Sequence, residues 1–85
     1  MQLDERTMRL IAVGASIAAN CQSCLQTNLA KACENGSDEQ EIAEAIWVGK
    51  MVRRGASAKM DSFADRLSQA APQTAAGSGE GCDCN

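Results

Sequence analysis

The chain has 85 residues and a mass of 8.9 kDa, which fits one small domain and excludes a large self-contained enzyme. Only 2% of the residues are aromatic although 45% are hydrophobic, so the core must be built from small side chains. The net charge of −3 argues against a nucleic-acid-binding surface, and the absence of histidine removes imidazole catalysis and histidine metal ligands.

The first residues of the chain lack the features of a signal peptide. Residues 1–6 are polar and acidic, and the pattern that follows is amphipathic rather than a continuous apolar span. We therefore expect a cytoplasmic protein with neither membrane nor nucleic acid as a partner. A reducing compartment makes a permanent disulfide framework a poor explanation for five cysteines, which leaves redox or metal chemistry. The cysteines are Cys21, Cys24, Cys33, Cys82 and Cys84.

The sequence predicts a first helix capped by Asp4. Apolar or small residues recur at helical spacing, with Met8, Ile11 and Ala15 on one face, so this face is expected to pack in the core. Gly14 costs helix propensity but lets a neighbouring backbone approach closely. The first helix is therefore expected to be buried along a broad stripe.

A second helix follows a break at Asn20. It is predicted to run from about Cys21 or Ser23 to Glu34. The Asn-Gly pair that ends at Gly36 supplies a left-handed stop.

The third helix has a well-marked start. Either Ser37 with Gln40, or Asp38 with Glu41, forms a capping box there. Gly55 is expected to end or kink this helix. A fourth amphipathic segment then follows, with apolar or small residues at Ala56, Met60, Phe63 and Leu67.

The helical pattern fades near Ala70, and Pro72 stops it. No strand-like alternation occurs, so residues 1–70 are expected to form an all-α domain of about four helices. Residues 71–85 are rich in Ala, Gly, Ser, Gln and Thr, a composition typical of a flexible tail. Cys82 and Cys84 form a CxC motif near the end of this tail.

Cys21 and Cys24 form a CxxC motif at the predicted start of the second helix. In the first turn of a helix, the two sulfurs are close enough to form a disulfide. The unpaired N–H groups and the dipole at that end stabilise a thiolate and lower its pKa toward ~7. Cys21 is then the attacking thiol and Cys24 the resolving one, or the reverse if Cys24 is more accessible. The sequence leaves this order open.

Other uses of the thiols also stay open. A CxxC is half of a tetrathiolate site, so Cys21, Cys24, Cys82 and Cys84 together are an alternative site for a soft metal or metalloid. Alternatively, Cys82 and Cys84 relay electrons to the Cys21–Cys24 disulfide through a mixed disulfide. A disordered end whose thiols bind soft metal ions only adventitiously is an equally open interpretation of the tail.

Three stretches carry a family resemblance: residues 9–24, residues 25–32 with Gly36 after them, and residues 41–46. Together they resemble the carboxymuconolactone decarboxylase and alkylhydroperoxidase D (AhpD-like) family over roughly residues 3–67. The resemblance implies an all-helical fold that assembles as trimers or hexamers. It also implies a CxxC that cycles between dithiol and disulfide in peroxide reduction fed by a thiol donor.

This sequence departs from that family at two positions. Members with peroxidase activity place a glutamate twelve residues before the first cysteine and a histidine four residues after the second, which together relay a proton. Those positions hold Arg9 and Asn28 here. Arginine is no base at neutral pH and asparagine does not titrate, so that relay cannot operate. Arg9 would instead stabilise a thiolate, Asn28 would hydrogen-bond a water or a sulfur, and Glu5 is a weaker candidate for a substitute base.

The third cysteine, the tryptophan and three basic residues of the third helix are predicted to have structural roles. Cys33 is predicted to be a small buried hydrophobic residue, and Trp47 a core or subunit-interface anchor. Lys50, Arg53 and Arg54 are predicted to form a solvated helix end.

The function predicted from the sequence is thiol–disulfide redox chemistry, including thiol-dependent peroxidase activity of the peroxiredoxin type. Cys21, Cys24, Arg9 and Asn28 are the predicted site residues, and the redox-active disulfide takes the place of a bound cofactor. A homo-oligomer, a thiol donor protein or small dithiol, and a peroxide or disulfide substrate are the predicted partners. The alternative is a non-catalytic module that holds a soft metal.

Overall fold

The structure, a computed structural model, describes residues 1–70 of the chain. This part consists of three helices, α1 (Glu5–Ala18), α2 (Gln22–Glu34) and α3 (Glu39–Ala70), and contains no strand. The all-α prediction is therefore confirmed. The chain divides into two compact units, the first covering residues 1–55. The predicted tail, with Cys82 and Cys84, lies outside the described residues.

The start of α1 follows from its cap. The Asp4 side chain accepts a 2.8 Å hydrogen bond from the backbone N–H of Thr7, as predicted for an N-cap residue. That hydrogen bond stabilises the carboxylate and lowers the pKa of Asp4 below its ordinary value of 3.8. The helix ends before Asn20, which adopts a left-handed conformation with φ of 57°. This residue turns the chain toward α2.

The connection between α2 and α3 is also fixed by local chemistry. Gly36 has a φ of 89°, a conformation that glycine adopts without strain. Asp38 Oδ1 accepts from the Glu41 N–H at 2.8 Å, and Glu41 Oε1 accepts from the Asp38 N–H at 3.1 Å. The capping box therefore uses Asp38 and Glu41, the second of the two predicted pairs. Ser37 Oγ is buried and has no hydrogen-bond partner among the described residues.

Two glycines let α1 and α3 pack with their backbones in contact. A Cβ on Gly49 would overlap the carbonyl oxygen of Gly14 and lie 2.8 Å from Ile17 Cβ. A Cβ on Gly14 would lie 3.0 Å from the carbonyl oxygen of Ala45. The close approach predicted for Gly14 is thus confirmed.

The predicted break at Gly55 is wrong, and the predicted number of four helices is therefore wrong as well. The third and fourth predicted segments form one helix, α3, and residues 1–70 contain three helices. Glycine inside a helix costs only about 1 kcal/mol relative to alanine, and no proline lies near Gly55 to end the helix there. The good helix formers on both sides, Arg54 and Ala56 among them, outweigh that cost.

The core of residues 1–70 is small, as the composition predicts, but the broad buried stripe expected for α1 is not observed. Val13 and Ala32 are completely buried, and Ser16 is nearly so. Ile11, predicted to lie in the core, is 56% exposed, and Ala15 is exposed as well. Helical spacing identifies the apolar face of a helix but does not show which surface covers it. No element of residues 1–55 covers the face with Ile11 and Ala15.

Two further burial predictions need correction. Trp47 is 59% exposed and is no core residue of this chain, although its alternative role at a subunit interface stays a prediction. Cys33 is a free cysteine on the exposed side of α2 rather than a buried one. Ala32, the residue before it, takes the buried position, because successive helical residues point about 100° apart.

Within residues 1–70, no helix is both long enough and apolar enough to cross a bilayer.

Candidate redox site

Cys21 and Cys24 are joined by a disulfide, with their Cα atoms 5.3 Å apart. Cys21 is the N-cap of α2 and is half-buried, whereas Cys24 lies in the first turn and is exposed. The backbone N–H of Cys21 donates to the carbonyl of Ser16 at 3.0 Å, which ties the motif to the end of α1. The predicted disulfide-forming pair at the start of a helix is therefore present.

The Cys21 sulfur lies in a polar environment at the start of α2. It accepts a hydrogen bond from the backbone N–H of Cys24 at 3.2 Å, and it lies 3.7 Å from Ser23 Oγ. Once the disulfide is reduced, these same groups, at the positive end of α2, would face the Cys21 sulfur and favour its anion. Hydrogen bonding thus favours Cys21 as the nucleophile, whereas exposure favours Cys24.

Arg9 and Asn28, the other two predicted site residues, are brought together beside the motif. Arg9 Nη1 donates to Asn28 Oδ1 at 3.0 Å, and Arg9 Nε donates to Glu5 Oε2 at 2.7 Å. Asn28 Nδ2 in turn donates to the Cys24 carbonyl at 2.9 Å. Among the described residues, neither side chain hydrogen-bonds a sulfur. The bridge therefore reaches the backbone of the CxxC turn.

Arg53 is a site residue that the sequence analysis missed. Its Nη1 donates to Asn20 Oδ1 at 3.0 Å and to the Ile17 carbonyl at 3.3 Å, and the residue is half-buried. It is neither at a helix end nor fully solvated, so that prediction is wrong. Its position follows from helical spacing: Arg53 lies one turn after Gly49, which packs against α1, and so faces the same neighbour.

A cavity of about 160 Å³ adjoins the motif on the Cys21 side. Cys21 lines it and Cys24 does not. Ile17 and Leu25 provide apolar walls, and Arg53 is its charged residue. No lining residue is acidic. The cavity therefore places one sulfur of the disulfide and one guanidinium around the same small space.

The predicted metal alternative needs four thiolates at one place. Within residues 1–70 no three His, Cys, Asp or Glu side chains are grouped to hold a metal ion. The alternative site also requires Cys82 and Cys84, which lie outside this range. It stays a prediction.

Residues 2–64 match the sequence model of the carboxymuconolactone decarboxylase family. A relative from Paracoccus denitrificans, described as uncharacterized protein 4 in cox locus, is 38% identical over 55 residues. That alignment covers 65% of this chain and 50% of the relative, so the chain spans about half the length of the curated relative it matches. No solved structure gave a significant match.

Proposed function

The chain belongs to the carboxymuconolactone decarboxylase family, and we propose that it acts as a thiol–disulfide redox protein through the Cys21–Cys24 pair. One observation carries the proposal: the disulfide lies at the surface, with the Cys21 sulfur accepting the Cys24 N–H at a helix N-terminus. The cysteine pair itself is the redox centre, with no further cofactor. A peroxide or a disulfide is the oxidant, and a thiol is the donor.

The proposed reaction begins with the Cys21 thiolate. It attacks one sulfur of a disulfide substrate, forms a mixed disulfide and releases the other substrate sulfur as a thiolate. The Cys24 thiolate then attacks Cys21 Sγ, which restores the protein disulfide and releases the reduced substrate. With a peroxide, Cys21 becomes a sulfenic acid as an alcohol or water leaves, and condensation with the Cys24 thiol releases water. Donor thiols run the exchange in reverse.

Arg9 and Asn28 have supporting roles in this proposal. The Arg9 charge favours the thiolate electrostatically, although its ion pair with Glu5 offsets part of that charge. Asn28 fixes the Cys24 turn through its hydrogen bond to the Cys24 carbonyl. Neither residue relays a proton. We therefore propose efficient disulfide exchange and slow peroxide turnover.

The test is a reduction potential together with turnover by dithiol donors. The wild type is expected to turn over, whereas Cys21→Ser removes all exchange. Cys24→Ser is expected to stop turnover after one mixed disulfide, which mass spectrometry locates on Cys21. Cys33→Ser is the matched control, because that thiol is exposed but outside the motif. A wild type that no thiol reduces, or a mixed disulfide that forms on Cys24 in Cys21→Ser instead, contradicts the proposal.

We also propose that the chain assembles with copies of itself. Its own helices leave Ile11, Val48 and Val52 half exposed, and these residues line an apolar groove of about 920 Å³ in the first unit. Within residues 1–70, Val13 and Ala32 are the fully buried apolar residues, and so small a core rarely stabilises a domain by itself. Light scattering coupled to size exclusion, with Val48→Glu expected to give monomers, tests this assembly.

A further inference from the structure

The cavity beside Cys21 has the size and chemistry of a small-molecule subsite. A volume of about 160 Å³ is below the ~300–1,000 Å³ of a site for a drug-sized ligand, so the cavity suits a small molecule. The Cys21 side of the disulfide lies at its wall, and Ile17 and Leu25 suit a short aliphatic chain. A molecule that fills it therefore meets a reactive sulfur and a cation.

The cation is held in place before any ligand arrives. The two hydrogen bonds of Arg53, to Asn20 Oδ1 and to the Ile17 carbonyl, both use Nη1. Its Nη2 and Nε have no hydrogen-bond partner among residues 1–70. A guanidinium with free donors at one edge binds a carboxylate through charge-assisted hydrogen bonds, and here little side-chain freedom remains to be lost.

We propose that this cavity binds a small thiol that carries a carboxylate, with the carboxylate on Arg53 and the sulfur facing Cys21. The inference rests on the proposed redox function and identifies the chemical class of its donor. A short aliphatic spacer between the two groups fits between Ile17 and Leu25. The site therefore discriminates donors by charge as well as by thiol reactivity.

The proposed step is a balanced thiol–disulfide exchange. The thiolate of the donor attacks Cys21 Sγ, a new sulfur–sulfur bond forms, and the Cys21–Cys24 bond breaks. Cys24 leaves as a thiolate and takes a proton from solvent. A second donor thiolate attacks the donor sulfur of the mixed disulfide and releases the Cys21 thiolate. Two thiols are oxidised to one disulfide as the protein disulfide is reduced to two thiols.

The test compares two thiols of equal length on the full oxidised chain. Mercaptopropionate carries a carboxylate and mercaptopropanol does not. The rate ratio of the two is measured on the protein and on a small model disulfide, which corrects for intrinsic thiol reactivity. The wild-type ratio is expected to exceed that of the model disulfide about tenfold, as one charge-assisted contact allows. Arg53→Gln is expected to lower the rate ratio to that of the small disulfide. Arg53→Lys is expected to give an intermediate ratio.

Arg54→Gln is the matched control, since Arg54 is the adjacent, exposed arginine and does not line the cavity. It is expected to keep the wild-type ratio. A second measurement avoids substitutions altogether: propionate should slow the reaction of the wild type with mercaptopropionate, whereas propanol at the same concentration should not.

Three results would overturn the inference. One is a wild-type ratio equal to that of the model disulfide, and another is equal inhibition by propionate and propanol. The third is a ratio that Arg54→Gln lowers as much as Arg53→Gln does. In each of these cases the proposed redox function still stands, because exchange has been observed. A disulfide that reacts with neither thiol instead contradicts the proposed function, and the donor site with it.

Discussion

Arg9 and Asn28 are 19 positions apart in the sequence, yet a 3.0 Å hydrogen bond joins Arg9 Nη1 to Asn28 Oδ1. The contact links α1 to the first turns of α2, and Asn28 extends it to the carbonyl of Cys24. A charged donor and a neutral amide therefore form a fixed bridge at the two positions where the resemblance implied a proton relay. The charge of Arg9 is expected to affect the thiol pKa of Cys21, and the two positions together are expected to limit peroxide turnover.

The first prediction concerns the charge of Arg9. In the reduced wild type, the thiol pKa of Cys21 is expected to lie below the ~8.5 of an ordinary cysteine, because the Cys24 N–H donates to its sulfur. Arg9→Gln removes a nearby positive charge and should raise this pKa. Thiolate absorbance or alkylation rates across pH measure it, with Lys31→Gln as a control at the other end of α2. Values near 8.5 in both proteins would show that neither the helix end nor Arg9 stabilises the thiolate.

The second prediction restores the relay that the chain lacks. Arg9→Glu with Asn28→His places an acid and an imidazole where a hydrogen bond now joins their predecessors. A positioned acid–base pair contributes ~10²–10⁴-fold, so peroxide turnover should rise at least about tenfold. Each single variant is the control, and neither should reproduce the rise. Turnover in the double variant no greater than in the wild type would mean that these positions do not limit peroxide reduction.

The ends of the helices could be predicted from the sequence because each depends on a few adjacent residues. Asp4, Gly36 and the pair Asp38 and Glu41 form the caps and turns that their residue types favour. The CxxC pair falls in the same class, since its two sulfurs are neighbours on one helical turn. Local chemistry of this kind is visible in a single sequence.

What the sequence could not predict depends on contacts between elements. The sequence predicts a solvated Arg53 because its partners, Ile17 and Asn20, are more than 30 positions away. Glycine at position 55 predicts a break, but the propensity cost of one residue is small beside the stability of the long helix that contains it. The exposed Ile11 shows the same limit, since a helical stripe does not say which surface covers it.

The third prediction uses the pKa of Asp4, which the Thr7 N–H lowers below 3.8. A carboxylate whose folded pKa is depressed stabilises the fold fully above its unfolded pKa, and this contribution is lost as pH falls through the folded value. Asp4→Asn keeps a good cap residue but removes the charge. The variant should therefore be less stable than the wild type near pH 7, and the difference should shrink below pH 3.8.

Urea unfolding midpoints at a series of pH values measure this difference. Glu34→Gln is the control, because it removes a carboxylate at the other end of a helix and should not reproduce the trend. A stability difference between Asp4→Asn and the wild type that stays constant down to the lowest pH would contradict a contribution from the charge of Asp4.

The fourth prediction contrasts two glycines of α3. Gly49→Ala adds a Cβ that overlaps the Gly14 carbonyl oxygen and approaches Ile17 Cβ to 2.8 Å, both contacts with α1. The helices must separate to relieve this, so the unfolding free energy should fall by about 1–3 kcal/mol or more. A Cβ on Gly55 meets nothing within 4 Å, so Gly55→Ala gains only helix propensity and should stabilise the chain by up to about 1 kcal/mol.

Chemical denaturation followed by circular dichroism measures both changes. Because the two substitutions are chemically identical, a loss of stability in both variants would contradict the close packing of α1 on α3 as the cause.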